Sequence, residues 1–137
     1  MKQIIFIILA VCSLNGNAEQ KTDCYETAMT QSEINRCAGS KNQEAKELLE
    51  QLIQELKAVL PDKPEASLIK SQKAWSTVVE NDCEIESWYV EGGSARPMVV
   101  AGCYAEHSRQ RIKMLVPLLC HPMLSTCEAK AKYEQNL

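Results

Sequence analysis

The sequence predicts an all-α fold, a small antiparallel helical bundle made of helix hairpins that disulfide bonds staple together. Apolar residues recur at the three- and four-residue spacing of helices, and no stretch shows the period of two that strands need. Clusters of proline and glycine, "LPDKP" at 60–64 and "EGGSARP" at 91–97, separate the helical stretches. Six cysteines follow residue 18, an even number typical of a disulfide framework in a small exported protein. The 137 residues suit one domain.

The N-terminal segment predicts export. Lys2 precedes the apolar run "IIFIILAVCSL" (4–14), which is too short to span a bilayer, and "GNA" (16–18) resembles a cleavage site. We expect residues 1–18 to be a signal peptide and the mature protein to be periplasmic or secreted, with no membrane span. A rival interpretation is a lipoprotein attached through Cys12, although Val11 is a poor residue before a lipid-carrying cysteine.

The first long helix should end near Leu60. Thr30 and Glu33 form a capping-box pattern at its start, and an apolar stripe runs from Ala45 to Leu60. Gly39-Ser40 predicts a break or kink inside it. A short amphipathic piece, "DCYETAM" (23–29), precedes it.

Two further helices follow. Asp62 and Glu65 are expected to cap the second helix, which should run to about Tyr89. Ser94 is the expected N-cap of the third helix, which Pro117 should end. The polar tail after Cys120 is predicted to be held by a local disulfide alone.

The cysteine spacing predicts the pairing. Cys24 and Cys37 are equidistant from the turn at Thr30, and the midpoint of Cys83 and Cys103 is Gly93. Cysteines equidistant from a turn face each other in an antiparallel helix hairpin. The predicted pairs are Cys24–Cys37, Cys83–Cys103 and Cys120–Cys127, one of 15 possible connectivities.

Several function classes are disfavoured by the composition. Removal of Lys2 with the signal peptide would change the formal net charge from −3 to about −4, which argues against a nucleic-acid partner. No CxxC pair is present and the only histidines are His107 and His121, so neither a zinc site nor another metal or cofactor is expected. Neither histidine stands in a recognisable catalytic arrangement, which predicts a protein that is not an enzyme.

An acidic cluster precedes the second turn and is the candidate docking surface. Its members, with no basic residue among them, are Glu80, Asp82, Glu84, Glu86 and Glu91. They either form a solvated helix face, partly paired with Arg109, Arg111 or Lys113, or dock a basic protein. Trp75 and Gln72 are expected in helix–helix contacts, whereas Trp88 and Tyr89 beside the turn favour an interface if they are exposed.

Four segments together resemble the LprI-type lysozyme-inhibitor family of exported bacterial proteins. These are "CYETAMTQSEINRC" (24–37), the helix at 44–60, "SQKAWSTVVENDC" (71–83) and "EGGSARPMVVAGCYAEHSRQRIKML" (91–115). The resemblance covers about residues 24–116, so we expect a helical domain at 19–116 and a C-terminal tail with a local disulfide at 117–137. It implies a disulfide-tied helical domain without catalytic activity, and lysozyme inhibition is attributed to a named member of the family.

The functional expectation is therefore a protein that binds and inhibits a lysozyme and so protects the cell wall. Common animal lysozymes are strongly basic, which suits an acidic partner. The residues that we expect to contact the partner are Glu84, Glu91, Gly92, Gly93, Ser94 and Arg96. We hypothesise that the loop presents Ser94 and Arg96 to the catalytic carboxylates of the cleft. The alternative is a non-catalytic envelope structural or interaction protein with no lysozyme activity.

Overall fold

The structure, a computed structural model, describes residues 23–137. The predicted signal peptide and Cys12 lie outside the described residues. The helices are α1 (Cys24–Thr27), α2 (Gln31–Val59), α3 (Asp62–Ser87), α4 (Arg96–Leu115) and α5 (Lys130–Glu134). Three 3-10 turns, Trp88–Val90, Val116–Cys120 and Cys127–Ala129, connect them.

The predicted all-α bundle of disulfide-stapled hairpins is confirmed. Helix α4 packs against both α2 and α3, whereas α2 and α3 touch each other little. The N-terminal ends of α2 and α4 meet, because the Asn35 side chain donates to the Ser94 carbonyl at 2.9 Å. Helices α2 and α4 therefore run parallel, and α3 runs antiparallel to both.

Helix α2 is longer and less interrupted than its sequence suggests. Its predicted capping box is present: the Glu33 backbone N–H donates to the Thr30 hydroxyl, and the Glu33 carboxylate accepts from the Thr30 N–H. The predicted break at Gly39-Ser40 is wrong, since α2 is continuous there. The neighbouring Cys37 and Ala38 are buried, and this packing outweighs the roughly 1 kcal/mol by which a glycine weakens a helix.

Two predicted helix caps are wrong. The N-cap of α3 is Pro61 and that of α4 is Ala95, and neither makes a side-chain capping bond. Asp62 is already the first helical residue of α3. Ala95 has right-handed helical backbone angles and the Arg96 N–H donates to the Gly93 carbonyl, so the chain winds into α4 without the extended N-cap residue that a serine cap requires.

The cysteines are paired as their spacing predicts. Cys24 joins Cys37, Cys83 joins Cys103 and Cys120 joins Cys127, with Cα–Cα distances of 5.7, 5.6 and 4.2 Å. The first bond ties α1 to α2, and the second ties the C-terminal half of α3 to α4. The third closes a loop within the tail.

The tail is part of the main core, so the expectation that a local disulfide alone holds it is wrong. Val116, Leu119 and Tyr133 are buried in one cluster with leucines of α2. Lys132 of α5 also forms an ion pair with Glu55 of α2 at 2.8 Å. The sequence did not predict that the tail packs into the core, because the tail has only a few, irregularly spaced apolar residues. Among residues 23–137, no helix is long and apolar enough to cross a membrane.

Candidate functional site

The turn between α3 and α4 is built tightly around its two glycines. Gly92 has a φ of +71°, a conformation that side chains with a Cβ rarely adopt. The Gly93 N–H donates to the Val90 carbonyl at 3.0 Å, and a Cβ on Gly93 would lie 3.1 Å from that same oxygen. Both glycines are therefore explained by the geometry of the turn.

Arg96 and Glu84 lie side by side across this turn. The Arg96 Nη2 donates to both carboxylate oxygens of Glu84, at 3.1 and 2.9 Å. The Arg96 Nε is buried and has no hydrogen-bond partner within residues 23–137. The guanidinium is thus already paired within the protein, and it would have to exchange Glu84 for a partner's carboxylate in order to bind one.

Ser94 is exposed, and its backbone ties the turn to the start of α2. Its carbonyl accepts the hydrogen bond from Asn35. Nearby, the Gln31 amide of α2 approaches the Met98 sulfur of α4 at 4.0 Å. The α1–α2 turn and the α3–α4 turn therefore lie at the same end of the bundle.

Large apolar side chains project from this end. Trp88 and Tyr89 are 71% and 64% exposed, and Ile85 on the last turn of α3 is also exposed. With residues 91–94, these three side chains form what we call the turn surface. Exposed aromatic residues are enriched where proteins bind other proteins, so these side chains mark a candidate interface.

The acidic cluster beside the turn surface is only partly neutralised. Glu84 pairs with Arg96, and Asp82 lies 3.8 Å from the His107 Nε2. Within the described part of the chain, Glu80, Glu86 and Glu91 have no salt-bridge partner. Negative charge therefore borders the exposed aromatics.

The three basic residues considered as partners of this cluster do not pair with it. Arg109 lies 3.9 Å from Glu106, and Lys113 has no carboxylate within salt-bridge distance in residues 23–137. Arg111 is buried and donates to Gln72 and Ser71 of α3, at 2.5 and 2.6 Å. The predicted helix–helix roles of Gln72 and Trp75 hold, because Trp75 packs against both core clusters.

Sequence reasoning missed this buried arginine. Burial lowers the pKa of the Arg111 guanidinium, and its carbon Cζ lies 5.9 Å from the Trp75 ring centroid. The polar pair Ser71-Gln72 ahead of Trp75 was the available signal. Gln72 is half-buried and Ser71 beside it is exposed; a half-buried polar side chain between helices needs a hydrogen-bond partner, and Arg111 is that partner.

Two groups of side chains in residues 23–137 have the spacing of metal ligands, and both include disulfide-bonded cysteines. They are Cys83, Cys103 and His107, and Asp23, Cys24 and Cys37. A cysteine ligates a metal as its thiolate, and a disulfide sulfur is not a thiolate. These clusters therefore reflect the disulfides.

Comparison with known proteins identifies the family. The sequence model described as "Lysozyme inhibitor LprI" matches residues 22–115. The chain belongs to the LprI lysozyme-inhibitor family. An uncharacterized protein of Rhizobium meliloti (strain 1021) is 30% identical over 125 residues, covering 82% of this chain and 90% of the relative. No solved structure matches.

The family match ends at the last residue of α4. It covers the α3–α4 turn and its surroundings, including Glu84 and Arg96. The tail from Val116 onwards lies beyond it, although the tail shares the core of the bundle.

Proposed function

We propose that this protein is an exported, non-catalytic inhibitor that binds a lysozyme through the turn surface. Membership in the LprI family supports the class of target. The observation that carries the proposed contact is the exposure of Ile85, Trp88 and Tyr89 beside carboxylates that form no ion pair among residues 23–137, at a turn that a disulfide holds.

The turn surface is suited to binding with little loss of entropy. Cys83–Cys103 and the hydrogen bonds of Gly93 and Arg96 fix the backbone before a partner arrives. Preorganisation of this kind reduces the ordering cost that otherwise subtracts from affinity. Trp88 and Tyr89 supply large apolar area with few rotatable bonds, which is typical of interface hot spots.

The charge distribution fits a basic partner. Glu86 and Glu91 flank the aromatics in sequence, and Glu80 lies about two turns earlier in α3; their charges would attract the positive rim of a lysozyme and speed association. Because these carboxylates are exposed, their contribution should weaken as salt shortens the screening length to about 10 Å at 0.1 M.

Arg96 offers one route to the enzyme's catalytic groups. Glycosidases of this kind use a pair of carboxylates, and a guanidinium binds carboxylates through two parallel hydrogen bonds. In the free protein the Arg96 Nη2 holds the Glu84 carboxylate. Binding would then be an exchange of one carboxylate partner for another, with Ser94 available as a hydroxyl donor.

Inhibition assays test the proposal. The oxidised protein is mixed with lysozymes of the c, g and i types, and lysis of a cell-wall suspension is followed. We expect inhibition of at least one type, with Trp88→Ala/Tyr89→Ala weakening it at least tenfold. The control Met114→Ala changes an exposed apolar side chain near the end of α4, away from the turn surface, and should inhibit as strongly as the wild type.

The outcomes separate the target from the surface. No inhibition of any lysozyme type at micromolar protein would favour the alternative, a non-catalytic envelope interaction protein. Inhibition that survives the double aromatic substitution would reject the turn surface but keep the function. Inhibition that survives Ser94→Ala, Arg96→Ala and a Gly92/Gly93 double substitution would reject the exchange of carboxylates.

Export through a cleaved signal peptide is part of the proposal. N-terminal sequencing of protein recovered from the periplasm or medium should begin at Glu19. A lipid-modified N-terminus at Cys12 would instead support the lipoprotein interpretation.

A further inference from the structure

A second site lies at the opposite end of the bundle from the turn surface. It is a groove of about 520 Å³ between the end of α2, the first turns of α3, the end of α4 and the tail. Its size falls within the range of about 300–1,000 Å³ that is common for small-molecule sites. Helix α2, with 29 residues, separates the two ends by about 40 Å.

The groove is apolar along most of its length. Its aliphatic walls come from all four segments: Leu60, Pro61, Pro64, Leu68, Leu115, Leu118, Met123 and Leu124. Leu68 and Leu115 are buried at its base, whereas Pro61, Pro64 and Met123 are exposed at its rim. An apolar chain could therefore enter from solvent and contact the main core.

A buried positive charge lines this apolar groove. Arg111 is 8% exposed, and within residues 23–137 no carboxylate lies within salt-bridge distance of it. Two of its N–H groups bind Gln72 and Ser71, which leaves further donors of the guanidinium fork unbonded to protein in the described chain. A buried charge is normally paired, so this one is complementary to an anion.

Two hydroxyl groups and an imidazole accompany Arg111 along the groove. Ser71 accepts from Arg111 and retains its own proton to donate, and Ser67 and His121 also line the groove. A few polar groups on an otherwise apolar wall fix the orientation of a ligand. The polar head should lie at Arg111, and the chain should extend along the leucines.

The tail forms one wall of the groove, which gives it a role that the family match does not supply. Leu118, His121, Met123 and Leu124 all lie beyond residue 115, where that match ends. Cys120–Cys127 closes the loop that carries them, and the Thr126 hydroxyl donates to the Leu119 carbonyl at 2.9 Å. The wall is therefore held in place before a ligand binds.

We propose that this groove binds an amphiphile with a single anionic head group and an unbranched apolar chain, of the fatty-acid class. The carboxylate pairs with Arg111 and Ser71, and the chain replaces solvent along the aliphatic walls. Burial of the chain provides most of the affinity, and the buried guanidinium selects for negative charge.

Calorimetric titration of the oxidised protein with dodecanoate, below its micelle-forming range, tests the proposal. We expect saturable binding of one molecule per protein. Dodecanol and dodecyltrimethylammonium, which share the chain but not the negative charge, should bind at least tenfold more weakly. Absence of saturable dodecanoate binding, or equal binding of the cationic amphiphile, would overturn the proposal.

A matched pair of variants locates the site. Met123→Asp places a negative charge at the rim of the groove, and Met29→Asp makes the same change at the other end of the bundle; the two methionines are 83% and 88% exposed. Met123→Asp should weaken dodecanoate binding at least tenfold, and Met29→Asp should leave it unchanged. Equal effects of the two substitutions would contradict the assignment.

Arg111→Lys tests the head-group contact, with thermal unfolding as a check that the fold survives. It keeps the charge but loses the planar fork, so it should weaken dodecanoate binding several-fold while leaving dodecanol binding unchanged. An equal loss for the two ligands would show that Arg111 acts only on the shape of the groove, and would reject its contact with the anion.

Discussion

The two ends of the bundle are stabilised in different ways. At the end with the α3–α4 turn, the buried cluster is small and consists of Val79, Cys83 and Cys103, two of which are the disulfide itself. At the other end, nine buried residues of α2, α3, α4 and the tail form the main core. The buried cluster at the turn end is mostly disulfide, whereas the tail end has a large apolar core in addition to Cys120–Cys127.

This difference suits the surfaces that we propose for the two ends. A docking surface needs exposed side chains, so little apolar area is left for a core beneath it, and a disulfide replaces part of that stabilisation. The groove needs aliphatic walls, and the main core provides them.

Loss of Tyr133 should have the largest effect on stability. Tyr133→Ala removes the largest fully buried side chain of the main core. By analogy with other large aromatic residues, we expect the free energy of unfolding to fall by about 3–5 kcal/mol. Urea titration of the oxidised protein measures this change. A loss below about 1 kcal/mol would show that the tail is only loosely attached to the core.

Removal of the turn-end disulfide, Cys83–Cys103, should cause the second-largest loss in the free energy of unfolding. A Cys83→Ala/Cys103→Ala variant opens a loop with a sequence separation of 20 and should lower the free energy of unfolding by about 3 kcal/mol. The matched control Cys120→Ala/Cys127→Ala opens a separation of 7 and should lose less, about 2.5 kcal/mol in the same chain-entropy treatment. A larger loss in the control would contradict the view that the turn end is the more dependent on its covalent bond.

Two glycine substitutions, one in the turn and one in α2, test the geometry of the turn. Gly92→Ala forces an alanine to a φ of +71° and should destabilise the protein by about 1–2 kcal/mol. Gly39→Ala, at an exposed interior position in the N-terminal third of α2 where a Cβ meets nothing within 4 Å, should stabilise it by about 0.5–1 kcal/mol. Opposite signs in thermal or urea unfolding support the geometry of the turn, and equal signs contradict it.

The smallest expected effect is a pH dependence at the tail. Burial raises the pKa of the Glu55 carboxyl, but the hydrogen bond from Lys132 and the positive charge of Lys132 bring its pKa below the usual value. The unfolded state therefore binds more protons at this site in mildly acidic solution. The contribution is present above the unfolded pKa of about 4.3 and is lost as pH falls through the lower folded pKa.

Glu55→Gln isolates this contribution. Because the Glu55–Lys132 pair is partly exposed, we expect less than about 1 kcal/mol. The difference in unfolding free energy between wild type and variant should shrink between pH 6 and pH 3. The matched variant Glu47→Gln, whose carboxylate lies in no ion pair of the described chain, should show no such change.

Much of the fold was accessible from the sequence because its signals are local. The capping box at Thr30 and Glu33 needs only four consecutive residues. Pro61 ends α2 because proline has no backbone N–H and its ring clashes with the preceding helical turn. The cysteine pairs follow from equal distances to a turn. The failure at the tail has a long-range cause, since Tyr133 packs with the leucines of α2. The failure at Gly39 reflects the burial of the neighbouring Cys37 and Ala38, and that at Ser94 reflects the local turn that makes Ala95 the N-cap.

The features of the candidate sites also divide into those predicted by local sequence signals and those decided by tertiary contacts. The sequence by itself determined the helical class, the turns, the cysteine pairing and the acidic segment before the α3–α4 turn, because periodicity, chain breakers and net charge are properties of neighbouring residues. Only the tertiary structure decided that Arg96 is held by Glu84, that Trp88 and Tyr89 face solvent, and that Arg111 is buried beside an apolar groove. The environment of each of these side chains is set by helices that meet across the bundle, and no pattern along one helix specifies which side chains its neighbours will bring.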